Sequence, residues 1–274
     1  MDKDGSINCI QLEKETRLIR KMILEMAYKA ETPTHIGPAL SCVDIITVLY
    51  TSIIKADARN PSWSGRDRFI LSKGHACLAL YAILAHLNFF SEELLWKVRR
   101  LNSPLEGHPN MNDEMGIDFS SGSLGNGLAV GLGMALFLRK YNSKVFVLLG
   151  DGECQEGIVW EAALTASALK VTNLIAIVDN NRYQSSGATD EIVPMGSMKK
   201  KWQSMNWNTF EIDGHNIGEI HQALEFATKL NNNPSVIIAN TTKGKGVSFM
   251  ENNNEWHQKY LDRSQYIAAL NEVE

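Results

Sequence analysis

Scarcity narrows this sequence before any motif does. Only four cysteines occur in 274 residues, Cys9, Cys42, Cys77 and Cys154. No two of them stand at CxxC spacing, which fits a reduced, cytoplasmic compartment. Neither sign of charge dominates: 27 Lys and Arg stand against 31 Asp and Glu, a net of -4. That balance offers no electrostatic grip on nucleic acid or on an anionic membrane. No uninterrupted apolar run approaches the roughly 18 residues of a membrane span. The opening MDKDGSINCIQLEKE lacks the apolar core of a signal peptide. Repeats, low-complexity linkers and composition shifts are missing too, so nothing marks a domain boundary. With 44% hydrophobic residues, the chain is long enough for one large α/β domain or two small ones.

The most informative stretch is 144–183, KVFVLLGDGECQEGIVWEAALTASALKVTNLIAIVDNNRY. Residues 145–149 are a short, continuously apolar run, as expected of a parallel strand buried on both faces. Gly150, Asp151 and Gly152 break it. A helical period covers 155–169, and 174–178 read as a second buried strand that ends in Asp179, Asn180 and Asn181. The pattern is a βαβ unit with parallel strands, so Asp151 and Asn181 both fall at strand carboxyl ends. Open α/β sheets bind ligands there. A carboxylate, an amide oxygen and one backbone carbonyl from the turn after Asn181 make three hard oxygen ligands, which suit Mg²⁺ completed by phosphate oxygens and water. Gly150 and Gly152 let the backbone approach a phosphate, and the next helix offers free N–H groups. The stretch therefore reads as a Mg²⁺-diphosphate site. Two blander readings stay open: Asp151 as a simple helix cap, and Cys154 as a small helix-start residue rather than a nucleophile.

Elsewhere, 11–30 carries Leu12, Leu18, Ile19, Met22, Ile23 and Met26 at helical spacing. Two prolines and a glycine make 31–38 a loop, with a second helix from Ser41 to about Ile54. Residues 67–72 read as a strand, followed by Lys73, Gly74, His75 and an apolar helix to about Phe90; Ser91, Glu92 and Glu93 cap another. Residues 102–123 show no period, and such stretches inside a compact domain are usually functional. GSLGNG (122–127) opens a helix over 128–138. Its GxxGxG pattern follows no strand, which rules out a dinucleotide fingerprint. After a long polar connection at 184–206, 208–212 and 235–239 read as strands. Asn216 and Glu219 form a capping-box-like start for a helix over 217–230, and the tail beyond 246 is polar with scattered aromatics. The sum is one doubly wound α/β domain over 1–274: a mainly parallel sheet flanked by helices, with a helical extension over about 1–60.

Four histidines, His35, His75, His108 and His257, fall in loops or turns. With their contexts THIGPALSCVDI, DRFILSKGHACLALYAIL, LEGHPN and TTKGKGVSFMENNNEWH, plus SSGSLGNGLAVGLGMA and GDGECQEG, the chain resembles the thiamine-diphosphate (PP) domain of transketolases. It resembles the N-terminal subunit of split transketolases even more closely, from about Glu13 to His257. The resemblance implies thiamine diphosphate and Mg²⁺ (or Ca²⁺ or Mn²⁺), with Asp151, Asn181 and the Tyr183 carbonyl as metal ligands. It places Gly152 and Glu153 on the diphosphate through their backbone with His75 nearby, and Gly122 and Leu124 in the loop that receives the aminopyrimidine. Glu156 matches an acid in a proton network across the dimer interface. His35, His75 and His108 match histidines that handle the protons and hydroxyls of the sugar, and neutral imidazoles with pKa near 6.5 suit that task. His257 lies near the family's last histidine.

The implied reaction is transfer of a two-carbon ketol unit from a ketose or ketose phosphate to an aldose, carried on the coenzyme as an enamine. The activating Glu belongs to the family's pyrimidine (PYR) domain. The resemblance thus implies a second chain bearing the PYR and C-terminal domains, an α₂β₂ heterotetramer and no turnover by this chain alone. Two departures stand out: Glu31-Thr34 precede the first histidine in place of a Ser/Gly-rich approach, and Ser185 replaces a bulky apolar residue near the thiazolium. Family drift accounts for both; the sharper reading is a modified, sulfonated or non-phosphorylated sugar. Rival expectations are the α subunit of a 2-oxoacid dehydrogenase or other two-carbon acyl transferase, and a catalytically degenerate binding subunit. Deoxyxylulose-phosphate synthase, normally one long chain, fits less well.

Overall fold

A computed structural model of the protein describes residues 8–273. Helix α1 (Cys9–Lys29) starts where the Asn8 side chain accepts the Gln11 N–H at 2.9 Å, a standard N-cap that satisfies one orphan donor. Its buried stripe includes Leu12, Ile19, Met22, Ile23 and Met26, whereas Leu18 faces solvent. The next helix starts earlier than the sequence suggests. α2 (Ile36–Ser41) already includes Pro38 in its first turn, where a missing N–H costs nothing. α3 (Val43–Val48) follows and relaxes into a π turn over Leu49–Ile53.

Strand β1 (Arg68–Leu71) leads through a 3₁₀ turn to α4 (Cys77–His86), which stops short of the expected Phe90. The Ser91 side chain does cap, but it opens the 3₁₀ helix Glu92–Lys97 rather than an α-helix. Then come α5 (Asn126–Leu138), β2 (Val145–Gly150), α6 (Gly157–Ala168) and β3 (Leu174–Asn180). The connection expected to be irregular at 184–206 holds a small hairpin, β4 (Tyr183–Gln184) with β5 (Gly187–Ala188), and two short helices, α7 (Thr189–Ile192) and α8 (Met198–Ser204). Trp202 of α8 is fully buried against Trp160 and Trp207, so one aromatic anchor orders a segment whose polar composition reads as loop. β6 (Asn208–Asp213), α9 (Ile217–Lys229) and β7 (Ser235–Asn240) complete the sheet. Asn216 accepts the Glu219 N–H at 3.1 Å, confirming that cap. The tail also forms α10 (Arg263–Val273), anchored by buried Ala269 and Val273 and by Tyr266 stacked on Tyr28 at 4.5 Å.

All five long strands run parallel in the order β1-β2-β3-β7-β6. The apolar run of β2 now has its cause. Phe146 and Leu148 point into the core beneath α1, α3, α4 and α9, while Val145, Val147 and Leu149 point into the one beneath α5, α6 and α8. A strand buried on both faces needs no polar alternation. In the β2–β3 register Gly150 pairs with Asp179. The residues just beyond those positions therefore emerge side by side at the carboxyl edge.

Candidate active site

The ends of β1, β2 and β3 and three loops meet at that edge around a cleft of about 300 Å³. Every site residue expected from the sequence lines it: His35, His75, His108, Gly122, Leu124, Gly150, Asp151, Gly152, Glu153, Glu156, Asn181, Tyr183, Ser185 and His257. A larger, more open depression of about 610 Å³ shares Asn181 and Tyr183 but lies on the far side of their turn and holds only His215 of the histidines. The smaller cleft concentrates the chemistry.

Asp151 is not a side-chain cap. Its Oδ2 accepts the Arg182 N–H at 2.8 Å and the Thr189 hydroxyl at 3.1 Å, tying the first strand end to the turn after the second. Helix α6 starts only at Gly157, with Glu156 at its N-cap position. The chain leaves Asp151 through the 3₁₀ turn Gly152–Gln155 and not directly into the α6 terminus. Burial, and next the neighbouring Asp179 carboxylate, push Asp151 up to about 6. No cation among the described residues pairs with it. The Asn181 amide accepts the Tyr183 N–H at 3.0 Å and donates to Asp179 at 3.1 Å. Among the described residues no three His, Cys, Asp or Glu side chains group around a metal position. A cation at this edge would rest on one carboxylate plus amide and carbonyl oxygens.

Two buried lysines and a carboxylate went unread in the sequence. Lys73 is ion-paired with Asp179, which also accepts from Ser41 at 2.5 Å and from the Thr241 hydroxyl. Burial disfavours the Lys73 ammonium, but Asp179 outweighs it and the Lys73 pKa rises; Asp179 falls despite its own burial. Lys243, also fully buried, contacts Asn254 Oδ1 at 2.7 Å and His257 Nδ1 at 2.9 Å. Burial, then the charge of Lys73, lower it to about 7. The Glu153 carboxylate takes the Gly125 and Gly150 N–H groups at 2.8 and 3.0 Å and the Ser72 hydroxyl, stitching the GDG turn to the loop before α5. Gly125 sits there at φ +87°, where a Cβ would stand 2.8 Å from Glu156 Cβ. The only signal for these groups was their place at strand ends, as in SKGH and TTKGKG; their burial had none.

The histidines converge. The His35 ring centre lies 5.5 Å from His75, 5.9 Å from His108 and 5.4 Å from His257, with His75 and His257 5.2 Å apart. Burial, and next the neighbouring His108 ring for His35 and the Lys243 amine for His257, bring His35 to about 4 and His257 to about 3; burial and then Lys73 take His75 well below its ordinary value. His108 is lowered by burial and then by Arg99. The expectation of pKa values near 6.5 is thus corrected. These rings stay neutral at pH 7, each with one donor and one acceptor, although His257 Nδ1 is already engaged by Lys243. Cys154 is fully buried and its thiol is pushed well above the ordinary range by that burial, so it is no nucleophile. Glu156 is exposed on the rim, and Ser185 is an exposed residue whose carbonyl accepts from Asn254 at 3.0 Å.

The sequence matches, over residues 13–272, the family described as transketolase, thiamine diphosphate binding domain. It is 39% identical to one subunit of the apulose-4-phosphate transketolase of Phocaeicola vulgatus, covering 96% of this chain and 93% of that one. It is 40% identical to a 6-deoxy-6-sulfo-D-fructose transketolase subunit of Clostridium sp., covering 97% of each. Among solved structures, the transketolase of Campylobacter jejuni superposes with a TM-score of 0.89 at 31% identity, over 97% of this chain and 43% of that one. The chain thus spans nearly all of the split subunits and less than half of that single-chain enzyme.

Proposed function

Because the chain belongs to the transketolase family, we propose that it is the cofactor-anchoring subunit of a two-chain transketolase, a transferase that moves a ketol unit from a ketose to an aldose. The observation that carries this is the convergence of four neutral histidines on the Asp151 and Asn181 strand ends in one cleft. Subunit relatives matched along nearly their whole length support the two-chain form. These relatives do not favour a 2-oxoacid dehydrogenase subunit or a degenerate binding subunit.

Thiamine diphosphate, when bound, supplies the electron sink for carbon–carbon cleavage. The residues present fit it. A buried carboxylate without a cationic partner among the described residues suits a divalent ion, with the Asn181 oxygen and the Tyr183 carbonyl completing a hard-oxygen set. We assign that role to Mg²⁺, or to Ca²⁺ or Mn²⁺. Gly152 and Glu153 offer backbone N–H groups to the diphosphate, and Gly122 and Leu124, which line the same cleft, receive the aminopyrimidine. His35, His75, His108 and His257 hold sugar hydroxyls as neutral rings, through hydrogen bonds that donate from one nitrogen and accept at the other. Glu156, on the rim, awaits a group from a second chain.

We further propose that this second chain carries the PYR domain and activating Glu, that two copies of each form an α₂β₂ assembly, and that the setting is cytoplasmic. Four free thiols accord with that setting. The outward faces of α5 and α6 support a docked partner: Leu136, Phe137 and Leu164 are exposed at 36%, 63% and 57% on helices apolar almost throughout. By analogy with the two subunit relatives, the donor is a modified ketose bearing a phosphate or a sulfonate. The test is purification with and without the chain carrying the PYR domain, assayed with both ketose types. Ketol transfer only by the mixture is the expected result; substantial turnover by this chain alone would refute the reading.

A further inference from the structure

The loop after β7, 241–246, bears two side chains that reach the cleft's charged floor. The Thr241 hydroxyl donates to Asp179, and Lys243 contacts Asn254 and His257. Thr242 lies between them, and its backbone N–H goes to a side chain from another loop: His215 Nε2, at 2.8 Å. On the other edge of the same ring, Nδ1 lies 2.7 Å from Asp44 Oδ2 of α3. An imidazole nitrogen that accepts a backbone N–H carries no proton. Nδ1 therefore holds the proton and donates it to Asp44, which fixes the tautomer. Asp44 is itself held by Arg20 of α1 at 2.6 Å, and Arg20 Nε donates onward to the Lys245 carbonyl at 3.2 Å. Asp44 and Arg20 are both buried.

A second contact shows how closely the two loops are fitted. A Cβ on Gly214 would run into the Thr241 side chain and stand 3.1 Å from Ala239 Cβ. The His215 ring thus enters through the one residue type that lets its loop lie flat on 239–242. A neutral histidine suits this place because it presents a donor and an acceptor at opposite edges of a rigid ring.

We propose that His215 is a positioning residue of the thiamine-diphosphate site, acting through Thr242 to hold Thr241 and Lys243 in register with Asp179 and His257. It does not line the cleft itself. The inference rests on the reading above that the cleft takes thiamine diphosphate. When loop 241–246 slackens, the pocket loses its preset shape, and ordering the loop again is charged to cofactor binding.

The pair His215→Asn and His215→Gln tests it in the reconstituted complex. The asparagine keeps a donor for Asp44 and cannot reach Thr242; the glutamine amide oxygen can still accept the Thr242 N–H. Hydrogen exchange across 241–246, measured without cofactor, is expected to accelerate roughly tenfold in H215N and to stay near wild type in H215Q, as one lost hydrogen bond implies. Half-saturating thiamine diphosphate is expected to rise roughly fivefold to tenfold in H215N, with kcat at saturating cofactor within about twofold. H215Q is expected to restore the affinity. Unchanged exchange in H215N, or H215Q as impaired as H215N, overturns the proposal. The exchange arm decides it even if wild type binds no thiamine diphosphate, a result that would defeat the functional reading instead.

Discussion

Replacing Asp151 by asparagine should make the metal-free protein more stable while abolishing metal-dependent cofactor binding. Asp151 is 4% exposed, and burial followed by Asp179 raises it from 3.8 to about 6. A carboxylate whose pKa is higher in the folded state than in the unfolded one destabilises the fold when it ionises. The cost is absent below about pH 4, grows through the window between 3.8 and about 6, and is complete above it. Two pKa units correspond to about 3 kcal/mol. The amide of the D151N variant would keep an oxygen for the Arg182 N–H and the Thr189 hydroxyl, so those bonds do not offset the gain. Allowing for desolvation of the new amide, the net gain is about 1–3 kcal/mol, several degrees in Tm for a chain of this size. Denaturant or thermal unfolding of both proteins, with chelator and without cofactor, should show the gap near pH 8 and its disappearance near pH 4. Titration calorimetry with Mg²⁺ and thiamine diphosphate should show binding lost in the variant. A D151N protein less stable than wild type near pH 8, or a gap independent of pH, would refute the electrostatics.

The histidine cluster has the opposite sign. His35, His75 and His257 are depressed in the fold, so their contribution to stability is whole above about 6.5 and drains as the unfolded chain takes up protons below it. Unfolding free energy should fall between about pH 6.5 and 4 with an uptake of up to three protons, partly offset by Asp151; a flat profile there would count against neutral rings. Glu153→Ala strands the Gly125 and Gly150 N–H groups and should cost about 2–4 kcal/mol in chemical denaturation; a loss below about 0.5 kcal/mol would show that water replaces the carboxylate. Phe137→Glu on α5 should leave the Tm of the isolated chain within about a degree, since the ring is 63% exposed, yet abolish the mixed complex by sedimentation velocity.

Local pattern alone determined much of this protein. The unbroken apolar runs of β2 and β3, the Asn216–Glu219 cap and the glycine break after β2 are short-range signals, and each marks a place where chain chemistry leaves one option. The strand ends carrying Asp151 and Asn181 follow from them, because parallel strands deliver their carboxyl ends to one edge. The histidine-bearing motifs named the family, and every residue they pointed to does line one cleft. Tertiary structure decided the rest. Trp202 ordered α8 within a stretch whose polar composition reads as loop, and Pro38 proved to begin a helix rather than prevent one. Whether a lysine is a surface charge or the buried partner of Asp179 depends on residues 106 positions away, which no window of sequence contains. The histidines' neutrality is likewise a property of their crowding and burial, not of their identity. Asp151 already read as a metal ligand in the sequence; only the fold set a second acid beside it, kept both from water and left it with no cationic partner among the described residues.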